Sequence, residues 1–184
     1  MEAGDVTRVG EAFELNELLT VVGRRLEPGE IAPDFTLDLV DAETSAIQPV
    51  TLADSDGMVR LLNVVNSLDT PVCQIETRHW ENMAADLPAA VRIYTISMDL
   101  PFAQARWQSS EGVHHQMLSA HKSEQFGRDY GVLIQEWRLL QRAVFVVDPQ
   151  GRIAYSQYVA DQMREPDYTT AIDAVRALLP TTQL

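Results

Sequence analysis

The chain of 184 residues carries one cysteine, Cys73, at the end of the run Asn66-Ser67-Leu68-Asp69-Thr70-Pro71-Val72-Cys73. A single thiol can serve as a nucleophile, but it cannot close an internal disulfide, build a Cys-rich zinc site or form a two-cysteine redox motif. Any thiol chemistry therefore finishes with an outside partner. With Thr70 as cap and Pro71 as the first helical residue, Cys73 takes the third helical position. Free backbone N–H groups and the helix dipole favour an anion there, so a thiolate is stabilised. The same placement sets the Thr70 hydroxyl beside the sulfur, because a cap and the third helical residue lie side by side.

Such a cysteine needs a rigid platform, and the flanking pattern supplies one. Residues 59–65 are a near-continuous apolar run of strand length, as expected for a central strand covered on both faces. From Pro71 a helix is predicted with Val72, Ile75, His79, Met83 and Leu87 as its apolar stripe, ending before Pro88. Residues 91–98 read as a second strand, giving a strand–helix–strand unit with parallel strands and a right-handed crossover. Cys73 then sits at the carboxyl edge of the sheet, where open α/β folds place their sites.

The remaining segments extend this unit. Residues 35–40 and 116–120 are predicted strands, residues 102–110 and 123–130 short helices, and residues 41–48 a polar loop. Residues 143–147 and 153–159, joined by Asp148-Pro149-Gln150-Gly151, read as a hairpin. A last helix starts at Pro166, with Tyr168, Ile172, Val175 and Leu179 as its stripe. Near the N-terminus, residues 6–9 and 12–15 flank Gly10-Glu11 as a short hairpin. The expected fold class is α/β: a central mixed β-sheet with helices on both faces and an N-terminal β-hairpin. Residues 1–184 are expected to form one domain, with residues 1–30 as the hairpin extension.

Composition narrows the function. A formal net charge of −13 opposes binding to nucleic acid and to anionic membranes. No stretch reaches the roughly 20 apolar residues of a membrane-spanning helix, and the first residues are acidic rather than basic, so a soluble, cytoplasmic protein is expected. His114, His115 and His121 lack a completing carboxylate cluster and read as surface residues rather than metal ligands. Asp99, Asp148 and Asp167 fall at turns or helix starts, where capping accounts for them. No phosphate-binding loop or dinucleotide fingerprint occurs, so neither cofactor nor metal is expected.

Four separated motifs resemble the thiol peroxidase branch of the peroxiredoxins, a family with a thioredoxin-like fold. They are Asp69-Thr70-x-x-Cys73 after an apolar strand, Ser97-Met98-Asp99-Leu100-Pro101-Phe102-Ala103-Gln104-Ala105-Arg106, Arg142-Ala143-Val144-Phe145-Val146-Val147-Asp148, and Glu165-Pro166-Asp167-Tyr168. The resemblance spans about residues 31–179. It implies that Cys73 is the peroxidatic cysteine, Thr70 its hydroxyl partner and Arg142 the arginine beside the sulfur, with hydrogen peroxide and organic hydroperoxides as substrates and a homodimer as the assembly. In such a site the thiolate attacks one peroxide oxygen while fixed donors stabilise the charge that develops on the other. The arginine charge also favours the thiolate. Pro101 and Phe102 fall in the motif that lines either the substrate entrance or a subunit contact. Tyr168, Phe102 and Trp107 are candidates for an apolar approach to Cys73.

Two positions depart from the family pattern. Asn66 stands where the family has a proline whose ring helps close the pocket. Gln108 stands where members of this branch carry a second, resolving cysteine. The expected cycle is therefore a one-cysteine one, in which Cys73 stops at a sulfenic acid that an external thiol reduces, either a thioredoxin-like protein or a low-molecular-weight thiol. The rival reading is a catalytically weakened redox sensor or binding module on the same fold.

Overall fold

The computed structural model describes residues 6–180. Residues 1–5, part of the expected hairpin extension, and residues 181–184 lie outside them. In chain order the elements are β1 (Thr7–Glu14), β2 (Glu17–Val22), β3 (Thr36–Val40), β4 (Ile47–Thr51), a short 3-10 turn (Leu52–Ser55), β5 (Val59–Val64), α1 (Pro71–Ala84) and β6 (Val91–Ser97). Then follow α2 (Pro101–Glu111), β7 (Gln116–Ser119), α3 (Gln125–Asp129), β8 (Leu133–Ile134), β9 (Leu139–Leu140), β10 (Ala143–Val147), β11 (Ile153–Tyr158) and α4 (Tyr168–Ala177).

Seven strands form the main sheet in the order β11-β10-β5-β6-β7-β3-β4. Strands β5, β6 and β7 run parallel, and the outer pairs are antiparallel. Every residue of β5 is buried, which is why its sequence is an apolar run instead of an alternation. Along β5 and β10 successive side chains feed two cores. Leu61, Val144 and Val146 meet Trp80 of α1 and Ile172 and Val175 of α4 on one face. Leu62, Val64 and Phe145 meet Phe126 and Tyr130, in and after α3, on the other. Each such aliphatic side chain contributes roughly 1.5–3 kcal/mol on burial.

Several expectations shift on contact with the tertiary structure. The N-terminal hairpin exists, but it turns at Leu15-Asn16. Gly10, at φ +76°, and Glu11 form a bulge where pairing jumps from Val9↔Thr20 to Ala12↔Leu19. The polar loop 41–48 is in part strand: β4 pairs with β3 from Val40↔Ile47 to Thr36↔Thr51. Pro49 is tolerated because β4 is the sheet's edge. Strands β8 and β9, only two residues each, join β1 and β2 in a second antiparallel sheet. The buried face of α1 is also not the predicted stripe. Cys73, Glu76, Thr77 and Trp80 point inward, while Ile75 is half exposed.

The N-terminal hairpin packs tightly on the turn after α3 at Gly131, where φ is +63° and Arg8 donates to the glycine carbonyl at 2.8 Å. A Cβ at Gly131 would collide with the Arg24 backbone carbonyl. Gly131→Ala is therefore expected to destabilise the protein by about 2 kcal/mol or more. A urea midpoint equal to wild type would contradict this docking of the hairpin against the main body.

Candidate active site around Cys73

The backbone leaves β5 at Val64, crosses residues 65–70 and enters α1 with Thr70 as N-cap and Pro71 at its first position. Cys73 is thus the third helical residue, as read from the sequence. The approach loop is tied down by Asp99, which follows β6. Its carboxylate accepts from Ser67 Oγ at 2.7 Å, from the Leu68 amide at 2.9 Å and from Ser97 Oγ at 2.7 Å. Asp99 is therefore a brace between two neighbouring strand ends, rather than the helix cap expected of it. Asp167 does cap α4, accepting from the Thr170 amide at 3.0 Å, and Asp148 closes the β10–β11 turn.

Sheet register brings Arg142 to the cysteine from 69 positions away. Because β10 runs antiparallel to β5 with Ala143 opposite Val64, the residue just before β10 lies beside the end of β5, where the Cys73 loop begins. Arg142 is 1% exposed and Cys73 is fully buried. Arg142 Nη1 donates to Cys73 Sγ at 3.4 Å and to Glu76 Oε2. Its Nη2 donates to the Gln162 carbonyl at 2.8 Å and to Asn66 Oδ1 at 3.3 Å. Burial works against the guanidinium charge, but Glu76 and the Cys73 sulfur outweigh it and hold the group above its ordinary value. Around the sulfur the walls are apolar: Val65, Leu68, Trp107, Val113 and Met117. The arrangement sets a nucleophilic atom at a helix N-terminus, beside a cation and out of contact with solvent.

Glu76 was absent from the sequence-derived site. It lies three residues after Cys73, hence on the same helix face, and that spacing was the available signal. It is fully buried, and burial pushes its carboxyl up to about 7 despite the pull of Arg142. Its Oε1 has no hydrogen-bond partner among the described residues, an environment that suits a carboxyl sharing its time between the neutral and ionised forms.

The other sequence candidates separate by distance from the sulfur. The Thr70 hydroxyl donates to the Ser67 carbonyl at 2.9 Å and not to Cys73, so the expected hydroxyl–sulfur bond is replaced by a loop-closing one. Asn66 is buried and bonded to Arg142. Pro101 is buried at the start of α2, whereas Phe102 next to it is 58% exposed. Of the three aromatics, Trp107 shares the buried cluster that contains Cys73. Tyr168 stacks on His79 with ring centroids 3.8 Å apart, meets Trp80 edge-on, and donates its hydroxyl to Glu165 at 2.7 Å. Gln108 donates to the His115 carbonyl at 2.9 Å. His115 itself is not a surface residue. Its ring is held between Glu81 at 2.7 Å and Thr95 at 2.8 Å. Among the described residues no group of three or more His, Cys, Asp or Glu side chains could hold a metal, and no helix is long and apolar enough to cross a membrane.

Comparison with known proteins identifies the family. The AhpC/TSA family profile matches residues 28–156, and the chain belongs to that family. It is 44% identical over 162 residues to a thiol peroxidase of Halalkalibacterium halodurans, covering 88% of this chain and 94% of that protein. It is 42% identical over 162 residues to the thiol peroxidase of Bacillus subtilis, covering 88% and 93%. A peroxiredoxin-like protein from Aquifex aeolicus superposes with a TM-score of 0.83 at 30% identity, over 96% of this chain and 100% of that one. The fold is thus the peroxiredoxin form of the thioredoxin-like fold.

The raised Glu76 carboxyl has a measurable consequence. The unfolded chain releases this proton near pH 4.5 and the folded chain near 7, so between these values the folded state binds more protons and the contribution of Glu76 to stability falls as pH rises. Relative to Glu76→Gln, wild type is expected to lose about 1–3 kcal/mol between pH 4.5 and 7 and nothing further above. A stability difference from urea unfolding that stays flat across this window would refute the assignment.

Proposed function

We propose that this protein is a thiol-dependent peroxidase that reduces hydrogen peroxide and organic hydroperoxides through Cys73 alone. The observation that carries the reading is the donation from Arg142 Nη1 to Cys73 Sγ at 3.4 Å, at the start of a helix, in a chain with no second cysteine. In the first step the thiolate attacks one peroxide oxygen and the O–O bond breaks. The sulfur gains that oxygen as a sulfenic acid, and the departing hydroxide or alkoxide leaves as water or alcohol once protonated. Arg142 stabilises the charge on both oxygens as it moves. Because Cys73 has no exposed surface, peroxide reaches the sulfur only when a covering side chain is displaced, and the apolar walls suit an alkyl hydroperoxide.

An external thiol then displaces water from the sulfenic acid to give a mixed disulfide, and a second thiol releases Cys73 reduced. The reductant is a thioredoxin-like protein or a small thiol. Thr70 belongs to the machinery as the residue that closes the loop over the helix start, with Arg142 as the electrostatic stabiliser. We further infer one domain, since the thiol peroxidases match about nine-tenths of this chain, and we propose a homodimer and a cytoplasmic setting.

One equivalent of hydrogen peroxide is expected to add one oxygen atom to Cys73, trappable by dimedone and absent in Cys73→Ser, with peroxide consumption lost in that variant. A Cys73–Cys73 crosslink in most of the protein would overturn the one-cysteine cycle. Equal peroxide consumption by wild type and Cys73→Ser would overturn the enzyme reading.

A further inference from the structure

We propose that Asn66 and Gln162 form a coupled positioning pair that aims the Arg142 guanidinium at the Cys73 sulfur, a role that rests on the peroxidase reading of the site. Both side chains are buried, Asn66 at 5% exposure and Gln162 at 2%. Asn66 Nδ2 donates to the Leu140 carbonyl at 2.5 Å and to Gln162 Oε1 at 3.0 Å. Gln162 Oε1 also accepts the Arg142 backbone amide at 2.9 Å, and its Nε2 donates to the carbonyls of Val159 at 2.7 Å and Ala160 at 3.1 Å.

The chemistry of the partners allows only one orientation of each amide. Backbone carbonyls accept only and arginine donates only, so Nδ2 of Asn66 must face Leu140 and its Oδ1 must face Arg142. The same logic fixes Gln162. Each amide therefore locks the other through the bond between them. Nη2 of Arg142 is gripped by two acceptors: Asn66 Oδ1, which the lock orients, and the Gln162 backbone carbonyl, whose residue is held by its side chain's bonds to the Val159 and Ala160 carbonyls.

A guanidinium is planar and rigid, so fixing Nη2 fixes Nη1. Nη1 is the atom contested by Cys73 and Glu76. Without the grip on Nη2, the carboxylate is the stronger of the two competitors and draws the guanidinium off the sulfur. The pair is itself anchored from outside the main sheet. Gln162 N donates to the Phe13 carbonyl at 2.9 Å and Phe13 N to the Ala160 carbonyl at 2.8 Å, both linking the segment after β11 to β1.

The test combines Asn66→Leu, Gln162→Met and the double variant, each in wild-type and Arg142→Ala backgrounds. Oxidation of Cys73 by hydrogen peroxide is followed by stopped-flow tryptophan fluorescence, and the Arg142 guanidinium N–H signals are followed by NMR. With Arg142 present, each single variant is expected to slow oxidation by about tenfold or more, the scale of one lost hydrogen bond to a charged group. The double variant should be no slower than the slower single, and the Arg142→Ala background should show no slowing. The guanidinium signals, resolved in wild type by restricted rotation, should merge in every variant that keeps Arg142. Unchanged signals, multiplicative effects, or equal slowing without Arg142 would each overturn the positioning role. Should Asn66→Leu fail to fold, Asn66→Ala, which admits water at the vacated site, replaces it with the same expectations. A wild-type rate no faster than that of the urea-unfolded chain would overturn the peroxidase reading instead, and the guanidinium signals would still decide the positioning claim.

Discussion

A guanidinium sealed inside a protein is tolerable only if its charge and most of its donors are met, and Arg142 imposes that condition on everything around it. Its Nη1 and Nη2 meet one carboxylate, one sulfur and two fixed oxygens, and Nε is left without a partner among the described residues. The carboxylate balances the charge when ionised. The sulfur accepts from the same Nη1 at the start of α1. On the proposed peroxidase reading, the chemistry of Cys73 is thereby coupled to a buried ion pair as well as to the helix end.

The architecture follows from delivering these groups to one place. Residues 73 and 76 arrive on one helix face, and Arg142 arrives because β10 is antiparallel to β5 in a register that sets Ala143 against Val64. Asp99 braces the loop between them from the end of the neighbouring parallel strand. The N-terminal hairpin, distant in sequence, reaches the site through Phe13 and the segment at Gln162. A change far from the sulfur, at the packing of β1, therefore has a hydrogen-bonded route to the arginine.

Much of the fold was legible because its signals are local. The apolar run of β5, Pro71 at the start of α1 and the Asp148–Gly151 turn each declare an element without help from the rest of the chain. What escaped was decided by tertiary contact. Strands β8 and β9 are too short to show a period, and β4 hid behind a polar turn and an edge proline. The face of α1 was misjudged because its buried side carries Glu76 and Thr77, polar residues that an apolar stripe cannot include. Thr77 donates to the Cys73 carbonyl at 2.7 Å, while Glu76 meets Arg142. Cys73 and Arg142 could be named from sequence, Cys73 by its place at a helix start and Arg142 by its family motif. Gln162 could not, because its contact with Arg142 exists only in the folded chain, and Glu76 offered no signal beyond its three-residue spacing from Cys73. The Thr70 hydroxyl illustrates the reverse case: its position was read correctly and its hydrogen-bond partner was not.

The most direct measurement is the rate constant for oxidation of Cys73 by hydrogen peroxide in Arg142→Lys, a protein that keeps the positive charge and loses the planar fork. If the sulfur is activated by a guanidinium held simultaneously on both edges, the lysine protein reacts about 100-fold more slowly than wild type, as expected for a misplaced transition-state donor. A lysine protein that oxidises as fast as wild type would contradict it, since charge alone would then suffice.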